Sequence, residues 1–504
     1  MVRLLSVLVL MGMGATAVAE LQEVSVGGEV RIRGRHWTNT YNRVTAGPGV
    51  VRIPAAFLTG RPLGPFGASS RFDFDDAGSD AGYVEHRTRI NLTAKFSDEI
   101  RAFVELESFD IWGEDFRSDY VTGADARAAT GNDVELYQGY IEADELLGYP
   151  VRLRLGRQEM KFGKGWLVDD ITTAIIGRSW DAARVTYSGE QFTVDAWWSK
   201  LAENTAVEQD GDIDFYGVYG DYKHSDALNA SAYWMLVRDA RSFGFTQGQS
   251  PVDVLEGFLG LDKHENTYLN TVGTRFYGKS SGFDYDWELA YQFGEADAVG
   301  FMFRPFGAYG DDDAEFGSLG TDLEAGYTLD MKWSPRVFLG GAFFEGEDNR
   351  DISFGEWLFG GEPESSISFN RLFPGKPYSL ILGIHQELSN FWQMRGGVSL
   401  APSEKVTAGL NVAYFVSDEP FDRPAFPGLS FLTRETDDEL GWTTFLWGKY
   451  QYSQDLSFML VWEHLFTGDG LADGNYFARN GLELVGGTDD QDADYVHFDV
   501  RVSF

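Results

Sequence analysis

Apolar and polar residues change places at every second position over long stretches of this chain. Phe283, Tyr285, Trp287, Leu289, Tyr291 and Phe293 alternate with Asp284, Asp286, Glu288 and Gln292. Ile90, Leu92, Ala94 and Phe96 alternate with Arg89, Asn91, Thr93 and Lys95, and Leu323, Ala325, Tyr327, Leu329 and Met331 with Glu324, Thr328, Asp330 and Lys332. Val406, Ala408, Leu410, Val412 and Tyr414 repeat the pattern, as does the ending, where Val496, Phe498, Val500, Val502 and Phe504 flank His497, Asp499, Arg501 and Ser503. A period of two is that of a β-strand with one apolar and one polar face. The runs exceed the five or six residues usual in soluble sheets. They suit tilted strands that cross a bilayer, which need roughly 9 to 11 residues.

The connections alternate too. Short polar turns ("FSDE" at 96–99, "YSGE" at 187–190, "KSSG" at 279–282, "WSP" at 333–335, "APSE" at 401–404, "YSQD" at 452–455) each join two alternating runs. Long Gly/Asp/Pro-rich stretches separate them, at 41–82, 240–265, 296–320, 347–390, 418–437 and 468–493. Short turns on one side and long loops on the other predict an all-β fold, a transmembrane antiparallel up-and-down β-barrel with short periplasmic turns and long extracellular loops. Runs start near residues 24, 83, 100, 133, 151, 181, 191, 211, 226, 266, 283, 321, 336, 391, 405, 438, 455 and 494, which makes about 18 strands with both termini on the short-turn side. The faces of the runs near 133 and 211 are ambiguous, and 379–389 reads as loop. Trp333, Trp392, Trp442 and Tyr452 fall near strand ends, where interfacial aromatic girdles lie.

Composition narrows this picture. The 504 residues carry no linker or composition break, so one large barrel domain is expected. With 43% hydrophobic residues the chain is not disordered, and with no cysteine it has neither disulfides nor a thiolate metal site. Arg3, the apolar "LLSVLVLMGMG" and "AVA" before Glu20 have the form of a secretory signal, giving a signal peptide at 1–19 and a barrel domain at 20–504. The formal net charge is -37, with acidic runs near Asp75, Asp312, Asp437 and Asp490 in turn-like stretches. They read as solvated loops, or as sites where divalent cations bridge to an anionic surface.

If the apolar faces meet lipid, the polar faces line the lumen. The first run then turns Arg31, Arg33 and Arg35 inward, the second Arg87 and Arg89, and the last, which must close against the first, Arg501. Arg152, Arg154, Arg184, Arg275 and Arg395 continue the series. Carboxylates are expected elsewhere, at Glu105, Glu107, Asp195, Asp284, Asp286, Glu288, Glu324 and Asp330, so the lumen should have a basic arc and an acidic arc. Guanidiniums clustered on neighbouring strands repel one another. Their set is read as a charged path for a permeating anion, with lumen-crossing ion pairs as the structural alternative.

The stretch "LRLGRQEMKFGKGWLVDDITTAIIGRSWDAARVTY" at 153–187 resembles the "LGRQ…GRSxDxxRxxY" block of the alginate export porins. "SFNRLFPGKP" at 368–377 is similar to that family's "FxxLFP" loop segment, and "WEHLFTGD" at 462–469 to the end of its penultimate strand. The resemblance implies an 18-stranded monomeric outer-membrane barrel passing an anionic polysaccharide such as alginate. Carried over, it assigns Arg157, Gln158, Arg178, Asp181 and Arg184 to the constriction wall or its loop scaffold. Arg157 breaks strand parity with Arg154, which a bulge at Gly156 would explain.

A general small-solute porin is the neighbouring alternative. A hydrolase or an adhesin is further off, since His36, His86, His224, His264, His385, His464 and His497 sit in no nucleophile or metal-ligand motif and no GxxxxGK[ST] occurs. The chain is therefore read as no enzyme, with no metal and no cofactor. Its expected partners are outer-membrane lipid and lipopolysaccharide and an anionic polysaccharide or small anionic solute, with no nucleic acid.

Overall fold

The computed structural model describes residues 21–38, 80–112, 134–171, 176–203, 212–240, 266–295, 315–346, 366–382, 388–420, 437–472 and 491–504, with short paired pieces at 118–119, 124–125, 423–424, 433–434, 477–478 and 483–484. Among these residues eighteen long strands follow in chain order: β1 (Glu23–Thr38), β2 (Ala81–Lys95), β3 (Ile100–Ile111), β4 (Glu135–Ala143), β5 (Val151–Gln158), β6 (Trp180–Ser188), β7 (Phe192–Ala202), β8 (Ile213–Ser225), β9 (Leu228–Asp239), β10 (Thr267–Ser280), β11 (Phe283–Glu295), β12 (Leu319–Thr328), β13 (Arg336–Phe344), β14 (Phe391–Ser403), β15 (Val406–Ser417), β16 (Glu439–Gln451), β17 (Leu456–Thr467) and β18 (Ala493–Ser503). Each pairs antiparallel with the next, and β1 pairs antiparallel with β18 in the register Arg31 to Arg501 and Arg33 to Asp499. Closure leaves no long strand with an open edge, so the wall satisfies its own backbone groups, the condition for standing in hydrocarbon. The signal peptide and the acidic runs at Asp75, Asp312 and Asp490 lie outside the described residues, as do His264 and His385.

Side chains sort as the alternation requires. On β2, Ile90 and Leu92 are exposed while Arg87 and Arg89 are buried; on β11, Phe283, Trp287, Tyr291 and Phe293 are exposed while Asp286, Glu288 and Gln292 are buried. Apolar side chains thus face outward and polar ones inward, the reverse of a soluble sheet. Trp333, Trp442 and Tyr452 are exposed near strand ends, as an interfacial girdle requires.

The two ambiguous runs are strands β4 and β8. On β4 the register against β3 shifts between Glu105 and Leu106, so that Tyr137 and Gln138 are both buried and the period of two is lost there. No register shift accompanies Gly156, which lies at a positive φ of 126° within continuous pairing to β4 and β6. The bulge expected there is absent, and strand parity runs on through Arg157.

Two segments that follow strands at their long-loop ends fold back into the barrel. Residues 159–171 leave β5 and residues 366–382 lie between β13 and β14. They meet through the Asp169 N–H donating to the Phe373 carbonyl at 3.0 Å, Phe373 N–H to Leu167 at 2.8 Å and Gly375 N–H to Gly165 at 2.9 Å. Around this junction lies an aromatic core in which Trp166 and Phe369 pack against Phe344, and Phe344 against Phe391, with centroids 5.2–5.8 Å apart.

Candidate functional site

The inward faces of β18, β1 and β2 form one continuous charged surface. Alternation brings Glu29, Arg31, Arg33 and Arg35 of β1 between Glu85, Arg87 and Arg89 of β2 and His497, Asp499 and Arg501 of β18. Carboxylates are shared here. Asp499 accepts from Arg31 at 2.9 Å and from Arg33 at 2.7 Å, and Glu29 pairs with both Arg87 and Arg501. Arg35 pairs with Glu85 at 2.7 Å. Arg89 pairs with Glu107 of β3 at 2.5 Å and with Glu159 at 3.3 Å, its guanidinium lying 3.7 Å from the Tyr137 ring centroid. Burial pushes the Glu159 carboxyl above its ordinary range, against the hydrogen bond that Tyr137 donates to it at 2.6 Å.

A strict division into basic and acidic arcs is therefore not what the sequence builds. Asp499, Glu29 and Glu85 share the parity of the arginines, a signal the alternation already carried. The expected acidic wall is likewise met by cations. Arg275 binds Asp286 at 3.0 Å, joined there by Lys164 at 3.2 Å. Arg336 binds Asp284 and Glu324, and Arg184 binds Asp195 at 2.8 Å. Arg154 holds Glu142 at 2.5 Å and Arg152 holds Asp144 at 2.5 Å. Asp330 lies exposed beyond the end of β12 and is no wall residue.

Arg157 and Asp181 pair at 2.8 and 2.9 Å, both about half exposed, on the strand face that carries the exposed Leu155 and Val185. That is the outer face, so these two do not join the inward set. Gln158, its neighbour on the inner parity, is fully buried and donates to the Ala182 carbonyl at 3.1 Å. Arg178 stands in neither wall. It reaches the carbonyls of Asp169 and Pro374 at 3.4 Å, fastening the junction of the two inward segments.

The fastening of 366–382 draws on Asp322, Lys376 and Glu463, which periodicity does not single out, together with Arg395 and Gln292, which it does. Asp322 of β12 accepts from Lys376 at 2.5 Å, from Tyr378 at 2.7 Å and from Arg395 at 3.0 Å. Burial, with the Asp322 charge beside it, raises the Tyr378 hydroxyl well above its ordinary range. Glu463 of β17 accepts from the Ser379 hydroxyl at 2.6 Å and the Leu380 N–H at 2.7 Å. Gln292 of β11 exchanges two hydrogen bonds with the Asn370 backbone at 2.6 and 2.7 Å. Lys376 sits in a stretch with no alternation, so only the segment's resemblance pointed to it.

An outer wall of apolar side chains, an inner wall of ion pairs and two segments narrowing the interior form a channel through a membrane. The model of the alginate export family matches residues 67–473. Among solved structures, OccAB1 of Acinetobacter baumannii is similar at 10% identity, over 97% of this chain and 100% of that one, with a TM-score of 0.51. OccK1 (OpdK) of Pseudomonas aeruginosa is 8% identical over 95% and 98%, with a TM-score of 0.47. At such identity the likeness to OccAB1 is one of fold. No curated protein matches the sequence.

Proposed function

The chain belongs to the alginate export family and forms an outer-membrane channel, and from that premise we propose that it passes an anionic oligo- or polysaccharide of the alginate type. The observation that carries the reading is the clustering of arginines on β18, β1 and β2, where Asp499 binds both Arg31 and Arg33, and Glu29 binds both Arg87 and Arg501. The inner faces of these three strands carry the guanidiniums of Arg31, Arg33, Arg35, Arg87, Arg89 and Arg501 beside the carboxylates of Glu29, Glu85 and Asp499, which concentrates arginine on one wall. In a narrow lumen with low-dielectric walls the field of such a wall concentrates anions. Arg35, Arg89, Arg152, Arg154, Arg184, Arg275 and Arg395 belong to the same proposed path, with Arg178 supporting its narrowing. The working unit is a monomer seated in lipid and lipopolysaccharide, with a mature barrel over 20–504.

Planar-bilayer conductance tests this. The wild-type channel should be anion-selective and blocked by polyuronate more than by a neutral glycan or a polycation. Arg31→Glu, Arg33→Glu and Arg89→Glu together should reverse the selectivity. Unchanged selectivity would refute the proposed path, and indifference to all three polymers would favour a general small-solute porin.

A further inference from the structure

A cavity of about 200 Å³ lies between 376–380 and the inner faces of β12 to β17. Its walls carry polar groups that the protein leaves unanswered. Thr443 and Gln393 are 3% and 2% exposed, yet neither the Thr443 hydroxyl nor the Gln393 amide nitrogen has a hydrogen-bond partner among the described residues. The Asn411 amide, facing the same space, has none either. Side chains as little exposed as Thr443 and Gln393 usually find a partner within the protein; with the half-buried Asn411 they instead leave three groups open to one cavity, where a hydrogen-bonding guest can be met.

The charged side chains nearby already have partners. Arg395 and Lys376 are held by Asp322, Glu324 is held by Arg336 and Arg395, and Glu463 takes the two donors from 379–380. What remains open is neutral: an amide, a hydroxyl and an amide nitrogen, beside the rings of Phe338 and Phe445. Hydroxyls along one edge and C–H groups on one face are the surface of a sugar ring, and the volume suits one ring rather than a chain. We propose that this cavity binds a single uncharged pyranose ring through Gln393, Asn411 and Thr443. The proposal rests on the protein being a channel but not on its cargo being anionic.

The test is blockade of single channels by maltotriose and by methyl glucoside, with glycerol as the polyol that lacks a ring. Both sugars should give resolvable blockades where glycerol at equal concentration gives none. A response to maltotriose alone would assign the site to chains and overturn single-ring binding. Thr443→Val, which keeps shape and removes the hydroxyl, should shorten residence roughly three- to tenfold, the size of one lost hydrogen bond. Asn411→Ala should do the same, with open-channel conductance preserved in both. Should Asn411→Ala fail to insert, the valine variant decides alone. Residence unchanged in Thr443→Val, or no blockade of the wild type, overturns the proposal. Arg31→Glu with Arg33→Glu should leave the sugar blockade intact while abolishing polyuronate block, which separates failure of this site from failure of the anionic path.

Discussion

The inner faces of β18, β1 and β2 and those of β13, β14 and β15 come from the same alternation and end as different materials. The first is a ladder of arginines linked through shared carboxylates, Arg31 and Arg33 meeting at Asp499 and Arg87 and Arg501 at Glu29. The second presents Phe344, Phe391 and Phe415 inward, all fully buried, and seats a folded-in segment upon them. A strand's period fixes which side chains point inward. Whether that inside meets water or protein depends on where the long loops go. Charged groups accordingly do different work in the two regions: on β1 they pair strand to strand along the wall, and on β12 and β17 they fasten a loop.

The largest test of that contrast is Asp322→Ala. Its loss strands Lys376 and Arg395 without the carboxylate both bind, and breaking such a buried set costs about 3–5 kcal/mol. Residues 366–382 should come away from the wall, so open-channel conductance should rise while the barrel still inserts. A variant with wild-type conductance and wild-type urea stability would show that Asp322 fastens nothing.

Asp499→Asn is the matching change on the other wall, and its expected sign is opposite in kind. Arg31 and Arg33 lose their shared counter-charge, at a cost of about 2 kcal/mol. The pore should keep its conductance and become more anion-selective, read as a shift in reversal potential across a salt gradient. If selectivity falls, the charge of Arg31 and Arg33 is not what sets it.

Glu463→Gln is a smaller step. The amide retains an acceptor for the Leu380 N–H but loses charge assistance, so the expected cost is about 1 kcal/mol. Brief excursions to a higher conductance level should become more frequent than in the wild type. A record as quiet as the wild type would place the holding force at Asp322 alone.

The wall was legible because each strand repeats its period enough times to average out exceptions. All eighteen strands start near the positions where the alternation starts. Where the period failed there was a physical reason, as on β4, where the register shift turns both Tyr137 and Gln138 inward. The arginines were legible for the same reason, and their partners Glu29, Glu85 and Asp499 share that parity. Parity alone does not distinguish Asp322, which receives Lys376, from an acid that faces water. The junction of 159–171 with 366–382 was not legible at all. It rests on backbone hydrogen bonds between segments some 200 residues apart, with no periodicity to announce it.

The smallest expected effect tests the boundary between the inner and outer faces. Resemblance assigned Arg157 and Asp181 to the constriction or its scaffold, while strand parity and exposure put them outside, bound to each other. A half-exposed pair of this kind contributes at most about 1 kcal/mol. Arg157→Ala should therefore shift urea stability within that limit and leave anion selectivity untouched, since the lost charge does not face the permeating ion. Asp499→Asn removes one charge from the inner face and should move the reversal potential. Arg157→Ala removes one from the outer face and should not, and equal shifts from the two would mean that the face assignment of β5 is wrong.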